Sequence, residues 1–355
     1  MPPVPAPLRL RLDGDALVHN WRALARLSGT AACGAAVKAD GYGLGAREVV
    51  RRLAAAGARD FFVATWAEAA ALAGSLPPEA TVAVLHGVRA ADMPLATALP
   101  GTRPVLSTPE QVARWRPTGR PCDAMVDTGM NRLGVAPATV GEGLLDGLAL
   151  DTLMSHLACA EDAADPMNAR QRDALAALAG RTPARRLSLA NSAGIALGRG
   201  YAFDLTRPGL ALYGGVPCPA LAGAIRPVAT PEAEILQRRR VPAGGTVGYD
   251  ATWTAPRPTE VAILNIGYAD GYRRALSGVG AALAGDAVLP VLGRVSMDLV
   301  AVDVTAAPAL AEGDWLTIDY SLPDAEAVSG VSQYELLTGL GARAERCWTR
   351  APGQQ

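Results

Sequence analysis

Of the 33 basic residues in this 355-residue chain, 32 are arginine and one, Lys38, is lysine. A coding bias towards arginine explains the excess. On a solvated surface arginine replaces lysine at little cost, so the surviving lysine is informative. A guanidinium stays protonated, whereas an amine can lose its proton, attack an aldehyde and form an imine. Lys38 is therefore a candidate for chemistry that arginine cannot perform; the alternative is a surface lysine left by chance. It closes the apolar run Ala31–Val37 and precedes the loop Ala39-Asp40-Gly41-Tyr42-Gly43-Leu44-Gly45. That order reads as strand, turn, helix, and α/β folds place their sites at such strand ends. The glycines at 41, 43 and 45 do not form GxGxxG, so a dinucleotide loop is not supported.

Other reactive side chains fall at similar places. Asp127-Thr128-Gly129-Met130-Asn131-Arg132-Leu133-Gly134, His156, Asn191-Ser192 and Arg207 each follow or end an apolar run. Each alone has an ordinary explanation: a structural histidine, a helix-capping serine, an ion-paired arginine. Their joint placement is the signal.

The elements that must position them alternate regularly. Strands are predicted over 31–38, 60–66, 81–87, 103–107, 122–127, 150–157, 185–191 and 203–213, with Ala- and Leu-rich helical stretches between. A first helix is expected from Asp15 to about Leu27, with Asp13 or Asp15 as its cap. Eight strand–helix alternations fit a (β/α)8 TIM barrel over residues 1–225. After that the pattern changes to short apolar runs at 233–240, 260–266, 288–292, 298–304 and 315–318, separated by Pro/Gly turns. Residues 226–355 are accordingly expected to form a C-terminal, mostly-β domain, with 218–230 as the connection.

Composition narrows the function classes. Half the residues are hydrophobic, 19% are charged, and the formal net charge is −1. That is a globular chain with ample core and no bulk signal for nucleic acid or anionic lipid. The five cysteines and three histidines show no metal-ligand spacing, so no metal is expected. The first residues lack an apolar signal region, and no run approaches a membrane span. A cytoplasmic location is the expectation.

Five segments, in order, resemble those of alanine racemases, the fold-type III pyridoxal-phosphate enzymes. They are Ala36–Gly43, Asp127–Gly134, Arg207-Pro208-Gly209-Leu210 with Tyr213-Gly214, Ile266-Gly267-Tyr268-Ala269-Asp270-Gly271, and Gly293-Arg294-Val295-Ser296-Met297-Asp298. The resemblance runs from about residue 9 to 346. It implies a homodimer in which the β-rich domain contributes Tyr268 and Met297 to the partner subunit's site. It also implies pyridoxal 5′-phosphate as cofactor, L- and D-alanine as substrates and D-alanine supply for peptidoglycan.

Racemisation needs a base for the α-proton of each enantiomer, and the resemblance assigns these roles to Lys38 and Tyr268. Tyrosine phenols titrate near pKa ~10 and need help to act as bases at neutral pH. His156 and Arg207 match the residues that give this help, and Arg207 also matches the donor to the pyridine nitrogen. An arginine there donates and cannot surrender its proton. Tyr42, Ser192 and the backbone at Gly209 and Leu210 match phosphate-contacting positions. Arg132 and the Met297 backbone match positions that hold the substrate carboxylate.

Two positions depart from the pattern. Many relatives carry a CO2-modified lysine where this chain has Met125, and some carry a tyrosine near the cofactor phosphate where it has Ala342. What orients Arg132 and what lines the mouth are left open. So are a serine or broad-specificity racemase and, in a different class, a non-catalytic pyridoxal-phosphate-binding homeostasis protein. The β-rich second domain argues against the last. A decarboxylase of the same fold type would carry a C-terminal cysteine-centred motif that is not found.

Overall fold

The computed structural model describes residues 6–349. Two compact units divide it: residues 16–226, and residues 6–15 together with 227–349. The boundary expected at 225/226 lies one residue away from this division, whereas residues 6–15, expected with the barrel, belong to the second unit; residues 1–5 and 350–355 lie outside the described residues.

In the first unit, parallel strands run in chain order: Ala35–Ala36, Asp60–Val63, Thr81–Val84, Thr102–Leu106, Cys122–Met125, Leu150–Met154 and Arg186–Ser188. Leu205–Thr206 supplies the eighth position, pairing in parallel with Ala32–Cys33. Backbone bonds from Asp204 N to Leu187 O (3.1 Å) and Arg207 N to Ala190 O (2.8 Å) join it to the seventh strand. The ring therefore closes as a (β/α)8 barrel. All eight strand positions were expected, and most strands are shorter at their C-terminal ends, where the chain turns to present side chains. The largest difference is 203–213. Its strand ends at Thr206, and Leu210–Tyr213 is a 3-10 turn. An apolar run records burial, and buried loop and buried strand read alike.

Side chains fill the barrel. Phe62, Ala83, Val105 and Leu153 lie on the same strand faces as Asp60, Thr81, Arg103 and Asp151 and are at most 2% exposed, and Phe61, Val63, Val82, Val84 and Leu106 on the opposite faces are equally buried. At the N-terminal ends of the strands an ionic cluster replaces the apolar filling. Arg186 bonds Asp60 (2.7 Å) and Asp151 (2.6 Å), while Arg103 pairs with Asp151 (2.9 Å) and lies 3.4 Å from Asp123. Burial pushes the Asp123 carboxyl up to about 6 despite these arginines.

The second unit is built on one long strand, Ala229–Val241. Its register shifts between Ile235 and Gln237. Its first half pairs with Leu8–Leu12 and Trp315–Ile318, its second with Thr259–Leu264. Val300–Asp303, Ala287–Leu292 and Ala281–Ala284 complete a closed ring, and Glu345–Trp348 flanks Leu8–Leu12. Closure removes the exposed edges an open sheet would present. Leu8, Leu10 and Leu12 are buried and Arg9 and Arg11 are paired with Glu232. The LRLRL alternation is thus a half-buried strand of this unit.

Candidate active site

The first strand hands the chain to Lys38, and the chain then turns left-handed. Ala39, Asp40, Gly41 and Tyr42 have φ of 52°, 52°, 64° and 56°. Such backbone costs roughly 1–2 kcal/mol for each non-glycine residue, so three of these four need compensation. Hydrogen bonds from Gly41 N to Val37 O (2.9 Å) and Gly43 N to Ala39 O (2.8 Å) close the turn. Carboxylates anchor it from both sides: Asp40 Oδ1 accepts from Ala46 N (2.8 Å), and Glu68 Oε1 accepts from Ala39 N (2.8 Å). Bonds to charged groups contribute roughly 1.5–3 kcal/mol, enough to offset strain of that size.

The turn sends Tyr42 inward. Its ring stacks on Tyr213 with centroids 4.6 Å apart, and Tyr213 donates to Ala36 O (2.8 Å). The Tyr42 hydroxyl lies against Gly209, where an added Cβ would come 2.2 Å from it. Here the glycine is required for space. Ser192 Oγ accepts from Gly209 N (3.0 Å) and Ala211 N (3.2 Å), while Asn191 caps the short helix Ser192–Ala196 through Gly194 N (2.8 Å). Tyr42, Ser192, Gly209 and the adjoining buried Leu210 thus lie together in one cradle.

Arg207 is 6% exposed. It donates to Ser188 Oγ, Ser155 O (2.6 Å) and Leu189 O (3.4 Å), all neutral acceptors. Burial pulls its guanidinium down to about 10, which still leaves it charged at neutral pH. His156 is half-buried. Burial, then the charges of Arg207, Arg132 and Lys38, depress its imidazole to about 3, so it is neutral. Burial and Arg132 lower the Lys38 amine, and Glu68 opposes them.

Asp127 organises the loop that presents Arg132. Its carboxylate accepts from Gly129 N (2.8 Å), Asn131 N (3.1 Å) and Arg132 N (3.0 Å). Burial pushes that carboxyl up, but the backbone donors prevail and hold it below the usual range. Arg132 itself is exposed, and Met125 is buried in the strand just before it. Gln171, fully buried, donates to His156 O (2.8 Å) and Thr128 Oγ1 (3.3 Å) and accepts from Ala158 N (2.8 Å). It holds the His156 and Asp127 loops in register.

In the β-rich unit, Tyr268 and Met297 are brought together by backbone. Tyr268 N donates to Ser296 O and Ala269 N to Met297 O, each at 3.0 Å. Gly267 permits this approach, since an added Cβ would meet Met297 O at 2.3 Å. Asp270 caps the turn through Gly267 N (3.0 Å) and pairs with Arg343 (2.8 Å), which also reaches Asp298 (2.7 Å). Ala342 is exposed and follows Gly341, whose N–H donates to Asp270 O (2.9 Å).

The structure therefore gathers Lys38, Tyr42, Arg132, His156, Ser192, Arg207, Gly209 and Leu210 at the C-terminal strand ends of one unit. It places Tyr268 and Met297 on one turn of the other. Sequence reading did not find Glu68, Gln171, Ser155, Ser188 or Arg343. Thr65-x-x-Glu68 does carry a capping-box signal, but nothing in it announces a bond to residue 39.

A parallel barrel with polar strand ends, followed by a closed β-rich unit, defines a two-domain barrel enzyme. The family model for the alanine racemase N-terminal domain matches residues 12–217, and that for the C-terminal domain matches 228–348. The chain belongs to the alanine racemase family. It is 44% identical over 357 residues to an alanine racemase of Methylobacterium nodulans, covering 95% of each chain. It is 42% identical to the biosynthetic alanine racemase of Agrobacterium fabrum, covering 96% of this chain and 93% of that one. Among solved structures, alanine racemase from Bartonella henselae with covalently bound pyridoxal phosphate superposes with a TM-score of 0.89 at 34% identity, over 97% of this chain and all of the other.

Proposed function

We propose that this protein interconverts L- and D-alanine with pyridoxal 5′-phosphate held on Lys38. The observation that carries the reading is the position of the lone lysine, at a strand end beside the cradle of Tyr42, Ser192 and Gly209, in a chain whose two parts both match alanine racemase domains. The residues fit the cofactor. A cradle that a single Cβ would fill suits a phosphate held by backbone, and the buried guanidinium of Arg207 has only neutral acceptors around it.

When bound, the cofactor supplies electron withdrawal that makes the substrate α-proton removable. The Tyr42 hydroxyl, Ser192 and the backbone of Gly209 and Leu210 would hold its phosphate. Arg207 would donate to its ring nitrogen and would keep its own proton in doing so. His156, kept neutral by burial and the charge of Arg207, would relay hydrogen bonding between Arg207 and the second base without adding charge. Lys38 Nζ and Tyr268 Oη move the α-proton, one for each enantiomer. Arg132 and the Met297 backbone bind the substrate carboxylate.

The working unit in this reading is a homodimer with Tyr268 and Met297 completing the partner subunit's site. Their exposure on the chain, 39% and 54%, supports this. Among the described residues no helix is long and apolar enough to cross a membrane. The reading places the enzyme in the cytoplasm, supplying D-alanine for peptidoglycan.

A panel of L- and D-amino acids, assayed with added pyridoxal phosphate, tests the function. Alanine is expected to racemise from both sides, and no turnover of any amino acid would refute the reading. Gly209→Ala is expected to displace Tyr42 and weaken cofactor binding. Loss of one charged hydrogen bond, about 1.5–3 kcal/mol, corresponds to a ten- to hundredfold higher Kd, measurable by fluorescence titration. Mixing inactive Lys38→Ala and Tyr268→Phe proteins is expected to restore part of the activity. No recovery after proven subunit exchange would exclude shared sites.

A further inference from the structure

The turn after Lys38 is held from outside by one side chain. Glu68 Oε1 accepts from Ala39 N (2.8 Å), while Oε2 accepts from Ala64 N (2.7 Å) and Thr65 N (3.2 Å). Thr65 Oγ1 accepts in return from Glu68 N (3.2 Å), completing a capping box on the helix Trp66–Leu72. A capping-box glutamate ordinarily serves its own helix. This one serves two segments, one carboxylate oxygen to each. Tyr42, at the end of the turn, is held by packing on Tyr213, whereas Ala39 at its start is exposed. A pocket of about 560 Å³, lined by Val37, Asp40, Gly45 and Glu68 among others, opens beside the turn.

We propose that Glu68 is a positioning residue for Lys38: its carboxylate pins the first peptide of the left-handed turn and so fixes the direction in which the lysine leaves the barrel wall. This rests on the reading of Lys38 as the cofactor-bearing residue. The bond at Ala39 N fixes the peptide plane between Lys38 and Ala39, from which the left-handed run sets out with φ of 52°. The same turn carries Tyr42, so one carboxylate sets the relation between the amine and the phosphate cradle. It also acts through its charge. The charged and titratable groups that face Lys38 are Arg132 and His156 from the following strand ends and Glu68 from the helix, and Glu68 alone is anionic. Burial and Arg132 lower the amine; Glu68 raises it.

The test compares holoenzymes of wild type, Glu68→Gln, Glu68→Ala and Thr65→Ala, reconstituted with pyridoxal phosphate. The visible absorbance of the bound cofactor is titrated with pH alongside kcat, KM and thermal stability. Without the carboxylate, protonated nitrogen at Lys38 is less favoured, so Glu68→Gln is expected to titrate at lower pH than wild type. Its kcat is expected to fall on the order of ten- to a hundredfold through misplacement, with KM for alanine little changed. Thr65→Ala, which weakens the helix cap but leaves the carboxylate, is expected to lower stability and titrate as wild type. If Glu68→Ala does not fold, the near-isosteric Gln variant carries the comparison. A wild-type band with Glu68→Gln titrating identically overturns the positioning role alone. A wild-type chain with no band overturns the cofactor reading and this inference with it.

Discussion

Lys38→Ala is expected to abolish both the visible absorbance of bound cofactor and racemisation, with activity falling by at least ~10³-fold. A general base alone is worth roughly 10²–10⁴, and in the proposed reading the same residue also holds the cofactor. The chain makes this experiment unusually clean. No second lysine exists to take over the bond. Borohydride treatment of the wild type should therefore fix the cofactor on one peptide, the one containing Lys38, and on no lysine in the variant. Persistence of a covalently held cofactor in Lys38→Ala would disprove the assignment. The fold should survive. The turn is closed by backbone bonds and the carboxylates of Asp40 and Glu68, none of which involves the lysine side chain.

Tyr268→Phe is expected to leave the cofactor bound and its spectrum unchanged while racemisation drops by roughly 10²–10⁴ in both directions. Each turnover needs one base to take the proton and the other to return one, so losing either stops both directions alike. Exchange of the α-proton with deuterated solvent separates the two bases. One enantiomer, served by Lys38, should still exchange; the other should not. Full-rate exchange of both would rule out Tyr268 as the second base. Phenylalanine is the informative substitution. The turn at Tyr268 is built by backbone bonds to Ser296 and Met297 and by the Asp270 cap, all of which it leaves in place.

Much of the architecture was legible in the sequence. Alternation of apolar strands with helices counted out the eight strand positions, because a parallel strand buried on both faces must be apolar along its length. The polar residues that end those strands marked a candidate site, because a barrel collects its strand ends at one mouth. The lone lysine and the ordered segments assigned chemistry to that mouth, since only an amine can form the bond proposed for Lys38.

Other features depend on long-range partners. Leu8–Leu12 alternates legibly as a strand, yet only its pairing with Ala229–Val241 and Glu345–Trp348 puts it in the β-rich unit, more than 200 residues away in sequence. Backbone pairing carries no side-chain signature of its partner. The predicted strand 203–213 ends early because its buried residues serve a cradle rather than a ladder, and burial looks the same in both. The left-handed turn at Ala39–Tyr42 includes three non-glycine residues whose intrinsic preference runs against it. The local bond from Ala46 N to Asp40 helps close it, and the bond from Ala39 N to Glu68 anchors it from outside the turn. The sequence by itself determined which groups could do the chemistry and which elements would carry them. Only the tertiary structure decided the strained backbone that aims Lys38 and Tyr42, because local bonds close the turn but Glu68 and Tyr213, from other elements, anchor it.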